Sequence, residues 1–265
     1  MATDTEIEWM KLTFAELNAR AADGALVIVP VASLEQHGPH LATGVDILCA
    51  NGVAQRVARR MTAAGRPVVV TPCVWTGLAE HHVAFGGTVT LDFATFSAVI
   101  KGVVRSAARA GFKRVMLLNG HGGNAEAVAV IGGECQAELG IAVAAGTYWH
   151  LAGDAFAPIL ERQSNVMHAC EAETSMIMTL LPEAVRTDRL AEAHGPHSTR
   201  PEGQPAAMIR RRSFKDITAT GVIGDARSAS AAKGEALLEA AAERIADELA
   251  SPRLLVSPYA TYSDE

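Results

Sequence analysis

The chain has 265 residues, a length that suits one large α/β domain or two small ones. Hydrophobic residues make up 49% and charged residues 20%, with a formal net charge of −6, which excludes intrinsic disorder and any global pull toward nucleic acid or an anionic membrane. No apolar stretch approaches the ~20 residues that a bilayer span needs, the first six residues are acidic rather than signal-like, and the chain reads as cytoplasmic.

Residues 26–32 form a short apolar run rich in β-branched side chains. This predicts a buried strand in which Pro30 marks a bulge or a strand end. Residues 46–64 carry helical spacing up to Gly65, and residues 68–71 a second strand. A helix over 92–110 closes at Gly111, followed by a third strand over 114–118. A helix over 124–139 ends at Gly140, followed by a fourth strand over 141–145. Residues 168–181 read as a helix stopped by Pro182, and the alanine-rich 231–250 as the last helix. This alternation predicts βαβ units: an α/β fold, a three-layer sandwich with a mostly parallel sheet, in one domain spanning 1–265. Residues 187–230 carry Pro196, Pro201 and Pro205 and little periodicity, so they read as an element of the site rim or a subunit interface. Cys49, Cys73, Cys135 and Cys170 lie far apart with no C-x-x-C pair and read as buried free thiols.

Three clusters could carry chemistry. Ser33-Leu34-Glu35-Gln36-His37-Gly38-Pro39-His40, closing with Asp46, directly follows the first strand. Glu35 and His37 are two apart, so an extended backbone points both the same way, and Asp46 could complete a divalent-metal site or simply cap a helix. Asn119-Gly120-His121-Gly122-Gly123-Asn124 follows the third strand. Its glycines permit a sharp turn, and it lacks the lysine of a phosphate-binding loop. Ligands of open parallel sheets bind beyond the carboxyl ends of the strands, which places His121 within reach of Glu35 and His37. His168-Ala169-Cys170-Glu171-Ala172-Glu173 opens a helix on which His168 and Glu171 share a face while Glu171 and Glu173 diverge. The residues leave open which glutamate faces a metal, and a Cys170 nucleophile paired with His168 is the lesser alternative. Beyond these, His81 and His82 lie in a glycine-rich loop, and Tyr148 and Trp149 follow the fourth strand, where an aromatic wall for a substrate would sit. Arg210-Arg211-Arg212 reads as a solvated face or, less often, a carboxylate or subunit contact.

Together these motifs resemble the creatininase (creatinine amidohydrolase) family, over roughly residues 10 to 250. Gly221-Val222-Ile223-Gly224-Asp225 and Ala231-Ala232-Lys233-Gly234 also look like the family. The resemblance implies a dinuclear metal centre and homohexamers built as trimers of dimers. By matching position, Glu35, His37, Asp46, His121 and Glu173 would be metal ligands, with Asp46 bridging. His168, with Glu173 beside it, would be catalytic, and His82 lies in the loop that borders the substrate in the family; Gly122, Tyr148 and Trp149, at the ends of the third and fourth strands, are further substrate-contact candidates, with burial in the core the alternative for the two aromatics. Gly123 stands where creatininase proper carries a glutamate ligand. Ala79, His81 and Gly86 replace the serine, glutamate and proline of the family's substrate loop, which points to a substrate other than creatinine.

The expected activity is hydrolysis of an amide, cyclic amide or formamide C–N bond by a hydroxide bridging two divalent ions (Zn, Mn or Fe), with His168 as proton donor. The alternatives are a lactone or diketone hydrolase, a peptide-trimming peptidase of the same family, or a catalytically inactive small-molecule binding or assembly protein. A small-molecule substrate and further copies of the chain are the expected partners.

Overall fold

A computed structural model describes residues 5–201, 205, 210–251 and 254–256. Four strands, β1 (Leu26–Val31), β2 (Val68–Val70), β3 (Arg114–Asn119) and β4 (Ala142–Thr147), pair in the order β2-β1-β3-β4. Every pairing is parallel, with Leu26 opposite both Val68 and Arg114, and Arg114 opposite Ala142. The helices are α1 (Phe14–Ala22), α2 (Val45–Ala63), α3 (Phe93–Arg109), α4 (Ala125–Leu139), α5 (Tyr148–Leu151), α6 (Gly153–Phe156), α7 (Glu171–Leu180) and α8 (Ala231–Leu249).

Alternation of side chains along each strand sorts the apolar residues into two cores. Leu26, Ile28, Met116 and Leu118 pack with Val53 and Val57 of α2, Met176 of α7 and Leu238 of α8. Val27, Val29, Val115 and Leu117 pack with Leu17 of α1, Phe96 and Ile100 of α3 and Ile131 of α4. Helices therefore cover both faces, as the sequence predicts. Among the described residues, no helix is long and apolar enough to cross a membrane. The cysteines are free: Cys49, Cys135 and Cys170 are buried, and Cys73 is half-buried.

Several local expectations need correction. Of the two expectations for Pro30, a bulge or a strand end, the second holds. Pro30 sits one residue before the end of β1, paired with Leu118 of β3. Leu26 and Ala32 donate on the β2 side, so by alternation the N–H that proline lacks faces a level where β2 has already ended. Helix α1 was not foreseen from periodicity, although a capping box of Thr13 and Glu16 opens it. Asp46 is not a cap, because Gly44 is the N-cap of α2 and Asp46 lies in its first turn. Helix α7 begins at Glu171, not His168. His168 instead pairs with Ile223 in an antiparallel bridge, and Ala169 turns the chain at φ 53°. The helical face expected to join His168 and Glu171 therefore does not exist.

Candidate metal centre

The sheet order places β2 to one side of β1 and β3 to the other, so the loops leaving β1 and β3 diverge and open a crevice at their carboxyl ends. Both chemistry-bearing loops line it. The Asn119–Asn124 loop is tied by its asparagines. Asn119 donates to the His121 carbonyl (2.7 Å) and to Thr147 Oγ1 (2.9 Å), and its Oδ1 accepts the His121 N–H (3.1 Å). Asn124 accepts the Leu78 N–H (2.9 Å) and donates to the Ala32 carbonyl (3.1 Å), which joins three strand-end loops. A Cβ at Gly123 would collide with His121 Nε2 and the Leu78 carbonyl oxygen, so no glutamate fits there without displacing His121.

The side chains meet in three groups, Glu35–Asp46–His121, His37–Asp46–Glu173 and Glu35–His37–His168, of which the first two are triads that share Asp46. Asp46 joins them with separate oxygens: Oδ1 lies 3.1 Å from His37 Nε2 and Oδ2 3.0 Å from His121 Nδ1. Glu35 Oε2 is 3.0 Å from His121 Nδ1, and Glu173 Oε2 is 3.9 Å from His37 Nε2. Glu35 and His37 thus converge on one site, as their spacing predicts: each enters a different Asp46 triad, and the two meet together beside His168. Outer hydrogen bonds fix the rings. His37 Nδ1–H donates to the Glu35 carbonyl (3.1 Å) and leaves Nε2 inward; His121 Nε2–H donates to the Leu78 carbonyl (3.2 Å) and leaves Nδ1 inward.

All five residues are buried. Burial alone would lower the histidine pKa values, but Asp46 raises His37 to about 9, and Glu35 with Asp46 raises His121 to about 10. Burial pushes Glu173 up to about 7 and also raises Glu35. Asp46 is held below its usual value despite burial, because His37 and His121 face it. Glu35 Oε2, His37 Nε2 and Asp46 Oδ2 nevertheless make no hydrogen bond of acceptable geometry. Close-facing, buried and unaligned donor atoms of mixed O and N type suit divalent cations, and nothing in the set is a thiolate.

The two glutamates of α7 separate cleanly. Glu173 joins the centre, where it also accepts the Ala169 N–H. Glu171 points away and accepts the backbone N–H groups of Glu161 and Arg162 and the Lys233 ammonium. His168 lies beside the triads, with Nδ1 3.6 Å from Glu35 Oε1, while its Nε2–H donates to the Gln36 carbonyl (2.9 Å). Burial and neighbouring His37 hold its pKa well below the usual histidine value. Cys170 is buried, and burial with nearby Glu173 raises its thiol to about 12, which suits a spectator rather than a nucleophile.

His82, buried, places Nε2 3.2 Å from Glu35 Oε1, and Gln36 donates its amide to His82 Nδ1 (3.0 Å). His82, Gly122 and Trp149 line a cavity of about 520 Å³ above the centre. Tyr148 does not line it; the ring is buried in the core, edge-on to Trp149 at 4.9 Å. The irregular 187–230 segment reaches the cavity through Arg200, Arg210, Phe214 and Ile223; within it, 202–204 and 206–209 lie outside the described residues. Gln36 and Phe214 were missed. Gln36 sits inside the first motif and could have been flagged there. Phe214, whose ring packs 4.0 Å from His82, belongs to no motif.

A buried carboxylate–imidazole centre at the switch point of a parallel sheet, below an open cavity, has the form of a metallohydrolase site. The family model Creatinine amidohydrolase matches residues 10–249. The chain belongs to the creatininase family of hydrolases. It is 31% identical over 259 residues to creatinine amidohydrolase of Pseudomonas putida, covering 90% of this chain and 94% of that one. It is also 31% identical over 226 residues to the mycofactocin precursor peptide peptidase of Mycolicibacterium smegmatis, covering 84% of each. Among solved structures, creatinine amidohydrolase superposes with a TM-score of 0.79 at 29% identity, covering 92% of this chain and 97% of that one. A manganese creatininase and a Zn-Zn creatininase variant superpose at 0.77 and 28% identity, covering 92% of this chain and 98% of theirs.

Proposed function

We propose that this chain is a two-metal amidohydrolase that cleaves a C–N bond in an amide, cyclic amide or formamide. One observation carries this: Asp46 presents its two carboxylate oxygens to two buried triads, in which Glu35 Oε2, His37 Nε2 and Asp46 Oδ2 lack aligned hydrogen bonds. Glu35, Asp46 and His121 would hold one divalent ion, and His37, Asp46 and Glu173 the other. When bound, such a pair supplies Lewis acidity toward a carbonyl and toward the pKa of water. The manganese and Zn-Zn neighbours support Mn or Zn, and the donor set also suits Fe.

The chain's own residues supply positioning and proton transfer. His168 keeps its Nε2 proton on the Gln36 carbonyl, so Nδ1 is the atom free to take a proton and pass it to the leaving nitrogen. Its low pKa keeps that nitrogen unprotonated at rest. Phe214, 5.0 Å from the His168 ring, and Trp149 wall the cavity and limit water. The barred position at Gly123 supports a substrate other than creatinine. Peptide trimming is the second reading, favoured by the mycofactocin peptidase likeness and an open cavity. The family resemblance extends the proposal to a cytoplasmic homohexamer; exposed apolar side chains at Phe14, Phe93, Val99 and Val130 support subunit contacts, without fixing their number.

The test is metal analysis joined to a hydrolysis screen of lactams, hydantoin-like rings, formamides and short peptides. His121→Ala is expected to lose metal and activity together. Full metal content in that variant, or turnover without metal, refutes the assignment.

A further inference from the structure

The cavity segregates its charge. Its acids, Glu35, Asp46 and Glu173, lie buried at the floor, while Arg200, Arg210, Arg211 and Arg212 line the rim. Among the described residues, Arg211 alone of the four has a carboxylate partner, with Nη2 2.8 Å from Glu126 Oε2. Arg212 donates to the Asp216 carbonyl oxygen (3.1 Å) and has no carboxylate partner among the described residues. Among the described residues, Arg200 and Arg210 have no carboxylate partner. Arginines gathered with one carboxylate partner among the described residues make a positive rim, which draws an anion toward the cavity.

The rim is not a distant surface. Arg211 also approaches the Gly123 carbonyl oxygen (3.4 Å), two residues past His121. Two residues beyond Arg212, buried Phe214 packs on His82 and His168. Arginine's planar fork matches a carboxylate or phosphate better than any other side chain. A volume of about 520 Å³ exceeds the needs of a small ring and leaves room for an extension toward the rim.

We propose that Arg200, Arg210 and Arg212 hold an anionic group of the substrate, a carboxylate or phosphate remote from the cleaved bond, so that the substrate is an acidic amide. This rests on the amidohydrolase reading above.

The test pairs acidic amides with neutral counterparts: N-formylglycine against N-formylglycinamide, pyroglutamate against its amide, short peptides with free against amidated carboxyl ends, and a phosphate-bearing amide. Metal-loaded wild type is expected to favour the acidic members at least about tenfold in kcat/KM. Arg200→Gln and the double variant Arg210→Gln, Arg212→Gln should raise KM for acidic members about ten- to a hundredfold, with kcat changed much less. The exposed Arg109→Gln serves as the charge control. A second readout needs no turnover: calorimetric titration of metal-loaded and metal-free protein with glutarate and with inorganic phosphate. Arginine-dependent, salt-sensitive binding is expected in both forms, and the tighter probe identifies the group. If neutral members are hydrolysed as well as acidic ones and the arginine variants match wild type, the anion proposal falls and the hydrolase reading stands. If nothing is hydrolysed but glutarate or phosphate binds through the arginines, the hydrolase reading falls and the anion site stands. If neither hydrolysis nor anion binding occurs, both fall.

Discussion

Glu171 and Glu173 stand two apart at the head of one helix, and replacing each by glutamine separates a structural carboxylate from a chemical one. Glu171 is fully buried and accepts the N–H groups of Glu161 (3.0 Å) and Arg162 (2.8 Å) together with the Lys233 ammonium. Glutamine keeps some of these bonds but removes the charge that strengthens them and breaks a largely buried ion pair, a change that costs about 3–5 kcal/mol when the remaining charge is stranded. Lys233 is not wholly stranded: it is 16% exposed and keeps Glu161 at 2.7 Å. The expected cost is therefore about 2–4 kcal/mol, a fall in Tm of about 4–8 °C for a chain of this size. Metal content should not change. Glu173→Gln is the mirror case. Burial holds the Glu173 carboxyl up to about 7, beside Asp46 and Glu35, so its charge strains the metal-free fold. The variant should keep or raise the Tm of the metal-free protein and lose about one metal ion per chain. Differential scanning fluorimetry and elemental analysis read both quantities. Metal lost with Tm unchanged in Glu171→Gln, or metal retained in Glu173→Gln, would overturn the division between the two residues.

Further outcomes follow from the same geometry. Gly123→Ala should push His121 aside and reduce metal content at the Glu35–Asp46–His121 triad, read by elemental analysis; full occupancy would show that the loop yields more easily than its contacts imply. Chelation should lower Tm by about 10 °C, because each of two ions at a hundred times its Kd adds about 2.7 kcal/mol that folding loses on its removal; an unchanged Tm would mean that the triads do not hold metal. Asp225, hydrogen-bonded to Arg227, is lowered to about 2. A lowered carboxylate contributes stability above its unfolded value near 4 and loses it as pH falls toward 2. Arg227 is half exposed, so the contribution is only about 1 kcal/mol. Asp225→Asn should flatten the acid limb of a pH–denaturation profile by that amount and leave neutral-pH metal content alone.

Much of this protein is legible in its amino-acid sequence. The continuous apolar runs of β1, β2 and β3 mark strands covered on both faces, and the strand–helix alternation dictates the parallel sheet, because a parallel pair needs a crossover. The loops after the first and third strands carry Glu35, His37 and His121, and a parallel sheet brings such loops to one edge. What sequence reasoning missed has local causes. Helix α1 offered a capping box rather than a strong apolar stripe. Helix α7 starts three residues later than its pattern suggests, because Ala169 adopts a left-handed turn that no propensity favours.

The amino-acid sequence by itself determined the architecture and the kinds of donor available, since periodicity and residue type are properties of the chain. Tertiary structure decided which donors meet. Asp46, in the first turn of α2, reaches both triads only because α2 packs under β1 with that turn facing the crevice. Glu173 rather than Glu171 enters the centre because Lys233 of α8 claims the latter. The acidic floor and basic rim come together only when a segment without periodicity, some eighty residues beyond His121, folds back over the histidines. Contacts at that separation depend on packing and burial, which no local pattern encodes.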